Sequence, residues 1–425
     1  MHNSFDTKHS ANKLIEVELP ADQLEIGMYV KSLDRPWLDT PFMFQGFRIA
    51  SSTELQQLKD LCQTVTIEVE ENYWFSYQKK HVGKASSKKQ SRVIPEPTVP
   101  LTQSMPEAKK LHDQANTEIH EILERVKNRE DINIEPIRET VNGFVKSVVG
   151  NPNALLWLTR IKDRDEYTAE HCLRVGIMAI AFGRHLGLAE DELTLLGMCG
   201  MLHDVGKMAI PDEILNKPGR LTKEEFETMK SHADKGGQML EEQSGLDDAV
   251  IFTARHHHER LDGNGYPAGL KAEYISLYTR IISIVDAYDA ISSIRCYKSA
   301  MTPAEALKIL FDNRGHQFDA DLVQDFILMV GAVPTGSIVE MTSGEIGIVL
   351  SINHGYKNKP KVLLVRNQFK KQQQERIINL VKCPVNDEGV PYEIAQTLKN
   401  GEFGVDILDY CKPKEYPHLN QFDWL

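Results

Sequence analysis

Cysteine is scarce in this sequence, and long apolar runs are missing. The six cysteines in 425 residues form no Cys-x-x-Cys pair. This scatter gives no zinc ribbon and no disulfide framework, and it favours free thiols in a reducing compartment. Apolar stretches such as 175–182 and 326–333 are far too short to span a bilayer, and the polar start, 1–13, has no apolar signal segment. We therefore predict a cytoplasmic protein without membrane insertion.

Basic residues are too few for a general nucleic-acid binder. The chain has 49 Lys and Arg against 61 Asp and Glu, a net charge of -12. A protein that binds polymeric nucleic acid needs a broad basic face, so this class is excluded. A small anionic substrate is still compatible, because bound metals and a few local cations reverse the field inside one cleft.

Four segments differ in composition, and together they predict a multidomain α+β protein. β-branched runs broken by Pro and Gly indicate a small mainly-β N-terminal domain over 14–77. A Lys-, Ser- and Pro-rich stretch, 78–104, is typical of a flexible linker. Helical periodicity then predicts an all-α bundle over 105–331. A small β C-terminal extension follows over 336–425, with strands expected at 337–341, 346–352 and 361–365.

Two apolar stripes open the helical region. Each has large apolar residues at helical spacing: Leu111, Ala115, Ile119, Ile122 and Val126 in the first, and Ile137, Val141, Phe144, Val145 and Val148 in the second. Such stripes fit a homodimer interface and packing on the chain's own core equally well.

Histidine and aspartate concentrate in the helical region beyond what packing requires. Seven of them are candidate metal ligands: His171, His203, Asp204, His232, His257, His258 and Asp286. Taken singly, a histidine usually hydrogen-bonds a backbone carbonyl, and Asp204 fits a helix cap. Asp286 follows Ile281, Ile282, Ile284 and Val285, and an ionised carboxylate in such an apolar run is costly unless it is paired or bound to a metal. One shared metal site explains all seven.

The ligand types indicate which metals and how many. Imidazole and carboxylate without thiolate suit iron, manganese, zinc, cobalt or nickel at a catalytic site. Seven ligands exceed the needs of one metal and indicate two, about 3.5–4 Å apart and sharing a bridging carboxylate. Asp204 is the natural bridge because His203 stands beside it. Such pairs serve in-line attack on phosphorus.

An ordered series of motifs resembles the HD-GYP family, a branch of the HD phosphohydrolase superfamily, from about 163 to 327. It includes His203-Asp204-Val205-Gly206-Lys207, the pair His257-His258 and the triplet Gly265-Tyr266-Pro267. The resemblance implies a helical HD-GYP catalytic domain that hydrolyses cyclic di-GMP to linear pGpG and onward to GMP. Gly27-Met28-Tyr29-Val30 and Pro41-Phe42 resemble the small domain that often precedes such domains.

The resemblance also implies a role for each site residue. One metal, with iron or manganese favoured, would be held by His171, His203, Asp204 and Asp286. The other would be held by Asp204, His232, His257 and His258. Further roles would fall to Lys207 at the substrate phosphate, to Tyr266 in the pocket wall, to Arg295 and Lys298 as phosphate grips, and to Asp289 in orienting a ligand imidazole. The ordinary interpretations are loop packing for Tyr266 and a solvated helix face for Arg295 and Lys298.

Three departures from the family pattern matter. Some members hold a third metal with a carboxylate one helical turn before the first histidine; Tyr167 stands there in this chain, so we expect two metals. The usual proline before Tyr297 is replaced by Cys296. His256 is an extra neighbour of the histidine pair, and its register against Glu259 disfavours it as a ligand.

Three functional hypotheses follow. The first is a cyclic di-GMP phosphodiesterase that lowers this second messenger and so affects motility and biofilm formation. The second is a phosphodiesterase for another cyclic dinucleotide, 3',3'-cGAMP, with the same metals and different base contacts. The third, from another class, is a non-catalytic sensor or docking module with diguanylate cyclases as partners; the intact His203, Asp204, Lys207 and Asp286 argue against it.

Overall fold

The elements run from strands through helices and back to strands, as the sequence predicts. The computed structural model describes residues 14–35, 40, 42, 46–70, 98–99, 101–159, 167–292, 301–331, 333–353, 356–386 and 389–410. The chain divides into two units, 1–93 and 94–425. No described helix is both long enough and apolar enough to cross a bilayer.

The described part of the first unit is a four-stranded antiparallel sheet with one α-helix and a short 3-10 helix, Ala21–Gln23. Its strand order is β1-β4-β2-β3, and its elements are β1 (Leu14–Pro20), β2 (Tyr29–Leu33), β3 (Phe47–Arg48), α1 (Ser52–Leu61) and β4 (Thr64–Glu70). The prediction of a mainly-β domain is confirmed, but it did not include α1. This helix begins at a side-chain cap, where Ser51 Oγ accepts a hydrogen bond from the Glu54 amide at 3.1 Å. Its Leu58 is fully buried with Val30 and Ile67 of the sheet.

The helical region of the second unit begins earlier than predicted. Helix α2 starts at Leu101, so residues 101–104, which the sequence placed in the linker, are helical. Met105, in the first turns, packs against an apolar cluster of the C-terminal sheet, a contact between distant segments that local composition does not reveal. The rest of the predicted linker, apart from Thr98 and Val99, lies outside the described residues.

Eleven α-helices are described between residues 101 and 330, together with a 3-10 turn that spans Val205–Ala209. The helices are α2 (Leu101–Lys127), α3 (Glu135–Gly150), α4 (Pro152–Leu158), α5 (Tyr167–Leu186), α6 (Glu190–Leu202), α7 (Asp212–Leu215), α8 (Lys223–Glu241), α9 (Asp248–His256), α10 (Leu277–Ser292), α11 (Pro303–Asp312) and α12 (Ala320–Val330).

Both apolar stripes pack within the chain's own core. Ala115 and Ile119 of α2, and Ile137, Val141 and Phe144 of α3, are fully buried. Of the two interpretations that the sequence left open, packing on the chain's own helices therefore accounts for the stripes.

A close backbone contact joins two of the helices that carry site residues. A Cβ atom at Gly200 of α6 would lie 2.7 Å from the Cα atom of Gly176 of α5. The two helices can therefore approach closely, and this contact lies near His171 on α5 and His203 at the end of α6. Glycine is required where backbones come this near.

The C-terminal segment forms a five-stranded antiparallel sheet of order β8-β7-β6-β5-β9. The strands are β5 (Ile338–Met341), β6 (Ile346–Asn353), β7 (Tyr356–Arg366), β8 (Gln372–Asn379) and β9 (Ile394–Leu398). The three strands predicted from the sequence are confirmed as β5, β6 and the second half of β7. Both faces are buried, because Ile348 and Leu363 join one apolar cluster with Trp157 of α4 while Val349 and Val362 join another.

Candidate metal centre

The helices bring His171 and Asp286 into contact at the centre of the bundle. His171 lies on α5 and Asp286 on α10. The Nε2 atom of His171 is 3.1 Å from Oδ1 of Asp286. His171 is fully buried, and the residue Asp286 as a whole is 9% exposed. A buried carboxylate needs a cationic or hydrogen-bonding partner. The imidazole of His171 is such a partner for Asp286, as the sequence led us to expect.

The two oxygens of Asp204 face two different sets of imidazoles. Oδ2 is 3.4 Å from Nε2 of His171 and 3.3 Å from Nε2 of His203. Oδ1 is 3.4 Å from Nε2 of His232 and 3.7 Å from Nε2 of His257. A carboxylate placed in this way is able to bridge two cations.

The donor atoms lie close enough together to share cations. Three groups each place one donor atom per residue within 4.8 Å of the others: His232 with His257 and His258, His171 with His203 and Asp286, and His203 with Asp204 and His257. The structure thus brings together all seven residues that the sequence singled out as candidate ligands.

Backbone carbonyls fix the tautomer of three of the histidines. The Nδ1 atoms of His203, His232 and His257 lie 2.8, 2.7 and 2.9 Å from carbonyl oxygens three residues earlier in the chain. A carbonyl oxygen only accepts hydrogen bonds, so each Nδ1 carries the hydrogen and each Nε2 presents its lone pair to the centre. This is the tautomer that binds a metal through Nε2.

His171 is held differently, by a buried carboxylate. Its Nδ1 atom donates to Oδ2 of Asp289 at 2.7 Å, the contact that the sequence interpretation expected of Asp289. Arg174 in turn donates to both oxygens of Asp289, from Nε at 2.9 Å and from Nη2 at 3.1 Å. Sequence reasoning missed Arg174, although its place one helical turn after His171 was a usable signal.

The centre fits divalent cations. The Nε2 atom of His203 and the Oδ1 atom of Asp204 are buried, yet neither makes a hydrogen bond of acceptable geometry to any residue that the structure describes. Buried polar atoms without partners are costly, and a cation between the imidazoles and the carboxylate would satisfy both atoms. The absence of thiolate from the donor set agrees with a catalytic site.

At His257, His258 and Asp204, burial and charge favour the protonation states that metal binding requires. Burial, with help from His232, lowers the pKa of His258 to about 3, and burial also lowers the pKa of His257 well below its ordinary value. Burial opposes ionisation of Asp204, but the cationic Lys207 and then His203 outweigh it and hold the pKa of Asp204 well below its usual range. Neutral imidazoles and ionised carboxylates are the ligand forms.

Lys207 reaches the centre from the turn that follows His203-Asp204. Its ammonium pairs with Oδ2 of Asp204, and its side chain is 15% exposed. A Cβ atom at Gly206 would lie 2.0 Å from the carbonyl oxygen of His232, so only glycine allows the turn to pack this tightly on α8. The turn therefore places the ammonium group of Lys207 against Asp204 in the candidate metal site.

The loop after α9 places Tyr266 beside the centre. The centroid of its ring lies 4.7 Å from the centroid of the His258 ring. The buried carboxylate of Glu259 holds the loop by accepting hydrogen bonds from the amides of Ala268, at 2.7 Å, and Leu270, at 2.9 Å. Lys230, whose ammonium lies 5.7 Å from the Tyr266 ring centroid, was given no role by sequence reasoning.

The remaining predictions have mixed outcomes. Arg295 and Lys298 lie outside the described residues, so their predicted phosphate contacts stay predictions. Helix α5 begins at Tyr167, whose side chain also lies outside the described part. His256 has its ring 4.4 Å from that of Phe252 and belongs to none of the three donor groups, in agreement with its rejection as a ligand.

Two family models match the chain. A model described as HD domain matches residues 158–322, and a model described as a domain of unknown function (DUF3391) matches residues 16–137. The first match contains all seven candidate ligands. The second includes the first unit's described strands β2 to β4 and extends through helix α2.

Curated relatives from three bacteria are similar to this chain. A cyclic di-GMP phosphodiesterase of Pseudomonas aeruginosa is 34% identical over 382 residues, which cover 89% of this chain and 92% of that protein. A cyclic di-GMP phosphodiesterase response regulator of Xanthomonas campestris is 42% identical over 163 residues, 37% of this chain and 42% of that protein. A 3'3'-cGAMP-specific phosphodiesterase of Vibrio cholerae is 37% identical over 150 residues, 35% of this chain and 32% of that protein.

Proposed function

This chain belongs to the HD-GYP family, and we propose that it is a metal-dependent phosphodiesterase that hydrolyses cyclic di-GMP to linear pGpG. A second cleavage of pGpG would yield GMP. The observation that carries the proposal is the placement of Asp204, whose two oxygens lie 3.3–3.7 Å from two different pairs of imidazole nitrogens. The Pseudomonas relative supports the choice of substrate, because the similarity extends over 92% of that protein.

Two divalent cations would be held by the seven ligands. His171, His203, Asp204 and Asp286 would hold one, and Asp204, His232, His257 and His258 would hold the other, with iron or manganese favoured over zinc, cobalt or nickel. When bound, such a pair supplies an activated water and neutralises charge on the scissile phosphate.

The chain's own residues would orient the phosphate and stabilise its charge. Lys207 lies beside Asp204 with its ammonium at the centre, where it would stabilise the negative charge that develops on the phosphate oxygens. Tyr266 would line the pocket next to a base or ribose, because its ring packs beside His258. Arg295 and Lys298 are proposed to hold the phosphates from outside the metal pair.

A second substrate, 3',3'-cGAMP, is favoured by one observation. A relative that is specific for it is 37% identical over 150 residues. The metal ligands and Lys207 do not distinguish two dinucleotides that differ only in one base. Cyclic di-GMP ranks first because the similarity to the 3'3'-cGAMP-specific relative covers only 32% of that protein.

Parallel turnover assays test the proposal. Protein purified without oxygen is analysed for metal and then incubated with cyclic di-GMP and with 3',3'-cGAMP, and the products are separated by chromatography. We expect about two metals per chain, cleavage of cyclic di-GMP to pGpG, and slower cleavage of the mixed dinucleotide. Tight binding of cyclic di-GMP by fully metallated protein without any cleavage would instead identify a sensor or docking module.

The variant Asp204→Ala tests the bridging role. It should lose turnover and part of its metal, while its circular dichroism stays that of the wild type. The matched control is Asp312→Asn, which removes an exposed carboxylate paired with Lys308 at 2.7 Å and far along the chain from the ligands. An Asp204→Ala enzyme with wild-type turnover would contradict the proposed bridge.

A further inference from the structure

The histidines of the centre differ in the group that accepts a hydrogen bond from Nδ1, the ring nitrogen that does not face the centre. In His203, His232 and His257, Nδ1 donates a hydrogen bond to the backbone carbonyl oxygen three residues earlier, that of Gly200, Met229 and Ala254 respectively. No substitution of a neighbouring side chain removes those acceptors. His171 instead depends on a side chain 118 positions away, the carboxylate of Asp289.

Arg174 holds that carboxylate in place. Its guanidinium makes two parallel hydrogen bonds, Nε to Oδ1 at 2.9 Å and Nη2 to Oδ2 at 3.1 Å. Both side chains are almost fully buried, at 3% and 4% exposure. A two-pronged guanidinium–carboxylate contact fixes the orientation of the carboxylate as well as its charge. Nη1 also binds Glu170 at 3.1 Å, which anchors the guanidinium from its other side.

We propose that Arg174 is a positioning residue that selectively sets the occupancy of one of the two metal positions, the one that contains His171. Arg174 fixes Asp289, Asp289 fixes the Nδ1 hydrogen of His171, and Nε2 of His171 is thereby aimed at Asp286 and Asp204. The inference rests on the two-metal centre of the proposed function.

The second position should be insensitive to the same change. His232 and His257 keep their backbone acceptors when Arg174 is replaced, and their Nε2 atoms lie 3.4 Å apart. Asp204 contacts them through Oδ1, whereas its contact with His171 is through Oδ2. Replacement of Arg174 should therefore weaken metal binding at the position that contains His171 and leave metal binding at the other position unchanged.

Metal titration of the metal-stripped full chain tests the inference without using turnover. Mn²⁺ is titrated into wild type, Arg174→Gln and Arg174→Lys, with calorimetry for affinity and elemental analysis for the number of ions retained. We expect two ions in the wild type. Arg174→Gln should keep one position at wild-type affinity and weaken the other about 10–100-fold, the usual effect of removing a partner behind a metal ligand.

Matched variants separate positioning from general damage. Arg174→Lys keeps the charge without the two-pronged contact, so it should rescue affinity only in part. Arg184→Gln removes an arginine from the same helix, one that donates to the carbonyl of Val149 at 3.3 Å, and should leave both positions unchanged. Asp289→Asn should reproduce the selective loss, and combining it with Arg174→Gln should add little, because both changes break one chain of contacts.

The outcomes are distinct. Unchanged affinity at both positions in Arg174→Gln, or equal weakening of both in folded protein, would overturn the inference. If Arg174→Gln does not fold, Asp289→Asn decides in the same way. A wild type that binds two ions but cleaves no dinucleotide would refute the proposed function and leave the selective loss in Arg174→Gln as support for this inference.

Discussion

Gly206 lies with its backbone directly against Gly236 of helix α8. A Cβ atom at Gly206 would stand 2.4 Å from the Gly236 nitrogen and 2.0 Å from the His232 carbonyl oxygen. Through this contact the turn that carries Lys207 packs on the helix that carries His232. The spacing between a candidate phosphate-binding cation and a candidate metal ligand thus depends on two residues that have no side chain.

We expect Gly206→Ala to destabilise the protein and to impair metal binding. The new methyl group meets backbone atoms that cannot turn aside, so the loss of unfolding free energy should reach at least about 3 kcal/mol, the upper range for overpacking. Thermal unfolding and metal analysis measure both effects. The control is Gly150→Ala, where a Cβ atom would make an ordinary 3.5 Å contact with Val99 and should change stability by less than about 1 kcal/mol. Equal behaviour of the two variants would contradict the expectation.

Lys207→Met should lower kcat while leaving metal content unchanged. Its ammonium lies at the centre, where a cation stabilises charge that develops during the reaction, and removal of one such group typically costs about 10²–10³-fold in kcat. Steady-state kinetics and elemental analysis on the same preparation separate the two roles. Lys207→Arg should lose less because it keeps the charge, and Lys308→Met, a change at an exposed lysine, should lose nothing. Loss of metal in Lys207→Met would contradict this role.

Glu259→Gln should disturb the loop that presents Tyr266. The two carboxylate oxygens accept from the amides of Ala268 and Leu270, and the amide group of glutamine has only one oxygen to offer. One buried backbone amide would then lack an acceptor, at a cost of about 1–3 kcal/mol. We expect a higher KM for cyclic di-GMP with a smaller change in kcat. The exposed Glu273 supplies the control, Glu273→Gln, and a wild-type KM in Glu259→Gln would argue against a role for the loop in substrate binding.

Acid should destabilise the metal-stripped protein from about pH 6.5 downward. The pKa values of His232, His257 and His258 are lowered in the folded state, chiefly by burial, so below the ordinary histidine pKa the unfolded chain binds more protons and folding becomes less favourable. His203 acts in the opposite sense, because Asp204 outweighs its burial and raises its pKa. Burial lowers the pKa of His112 and His256 as well, so five histidines outweigh one and the net effect is a loss of stability. The upper limit is about 1.4 kcal/mol per pH unit for each histidine.

Denaturant unfolding of chelator-treated protein between pH 7 and pH 5 measures this slope. His257→Gln should flatten it, since one of the groups that must stay neutral is gone. A free energy of unfolding that is constant over this range, or that rises toward pH 5, would contradict the expectation. Readdition of Mn²⁺ at pH 7 should raise the free energy of unfolding of the wild type by about 2.7 kcal/mol for each metal bound when the free metal is 100 times its Kd.

The sequence predicted the candidate ligands more fully than their surroundings. Histidine and aspartate are costly in apolar helices, so their presence at Asp286 and at His203-Asp204 signals a reason other than packing. Strands β5, β6 and β7 were also readable, because their β-branched runs stand between glycine turns. Strand β8 was not, since its first five residues, Gln372 to Arg376, are polar on both faces of the strand.

Arg174 and Gly206 show what sequence reasoning left out. The place of Arg174 one helical turn after His171 marks it as a neighbour of that ligand, but the sequence alone does not show which group it binds. Only when α5 meets α10 does its guanidinium face Asp289, 115 positions further along the chain. Gly206 belongs to a recognisable motif, but the need for glycine there arises from the approach of α8, which no local pattern encodes.

The residue types alone determined that this chain has a helical region whose imidazole and carboxylate groups are suited to divalent cations. They did so because ionisable side chains in apolar segments require compensation wherever the fold places them. The tertiary structure decided which oxygen of Asp204 faces which imidazoles. It also decided that Nδ1 of His171 is held by a side-chain carboxylate, whereas Nδ1 of His203, His232 and His257 is held by backbone carbonyls. Those relationships depend on distances of a few ångströms between helices far apart in sequence, which only packing establishes.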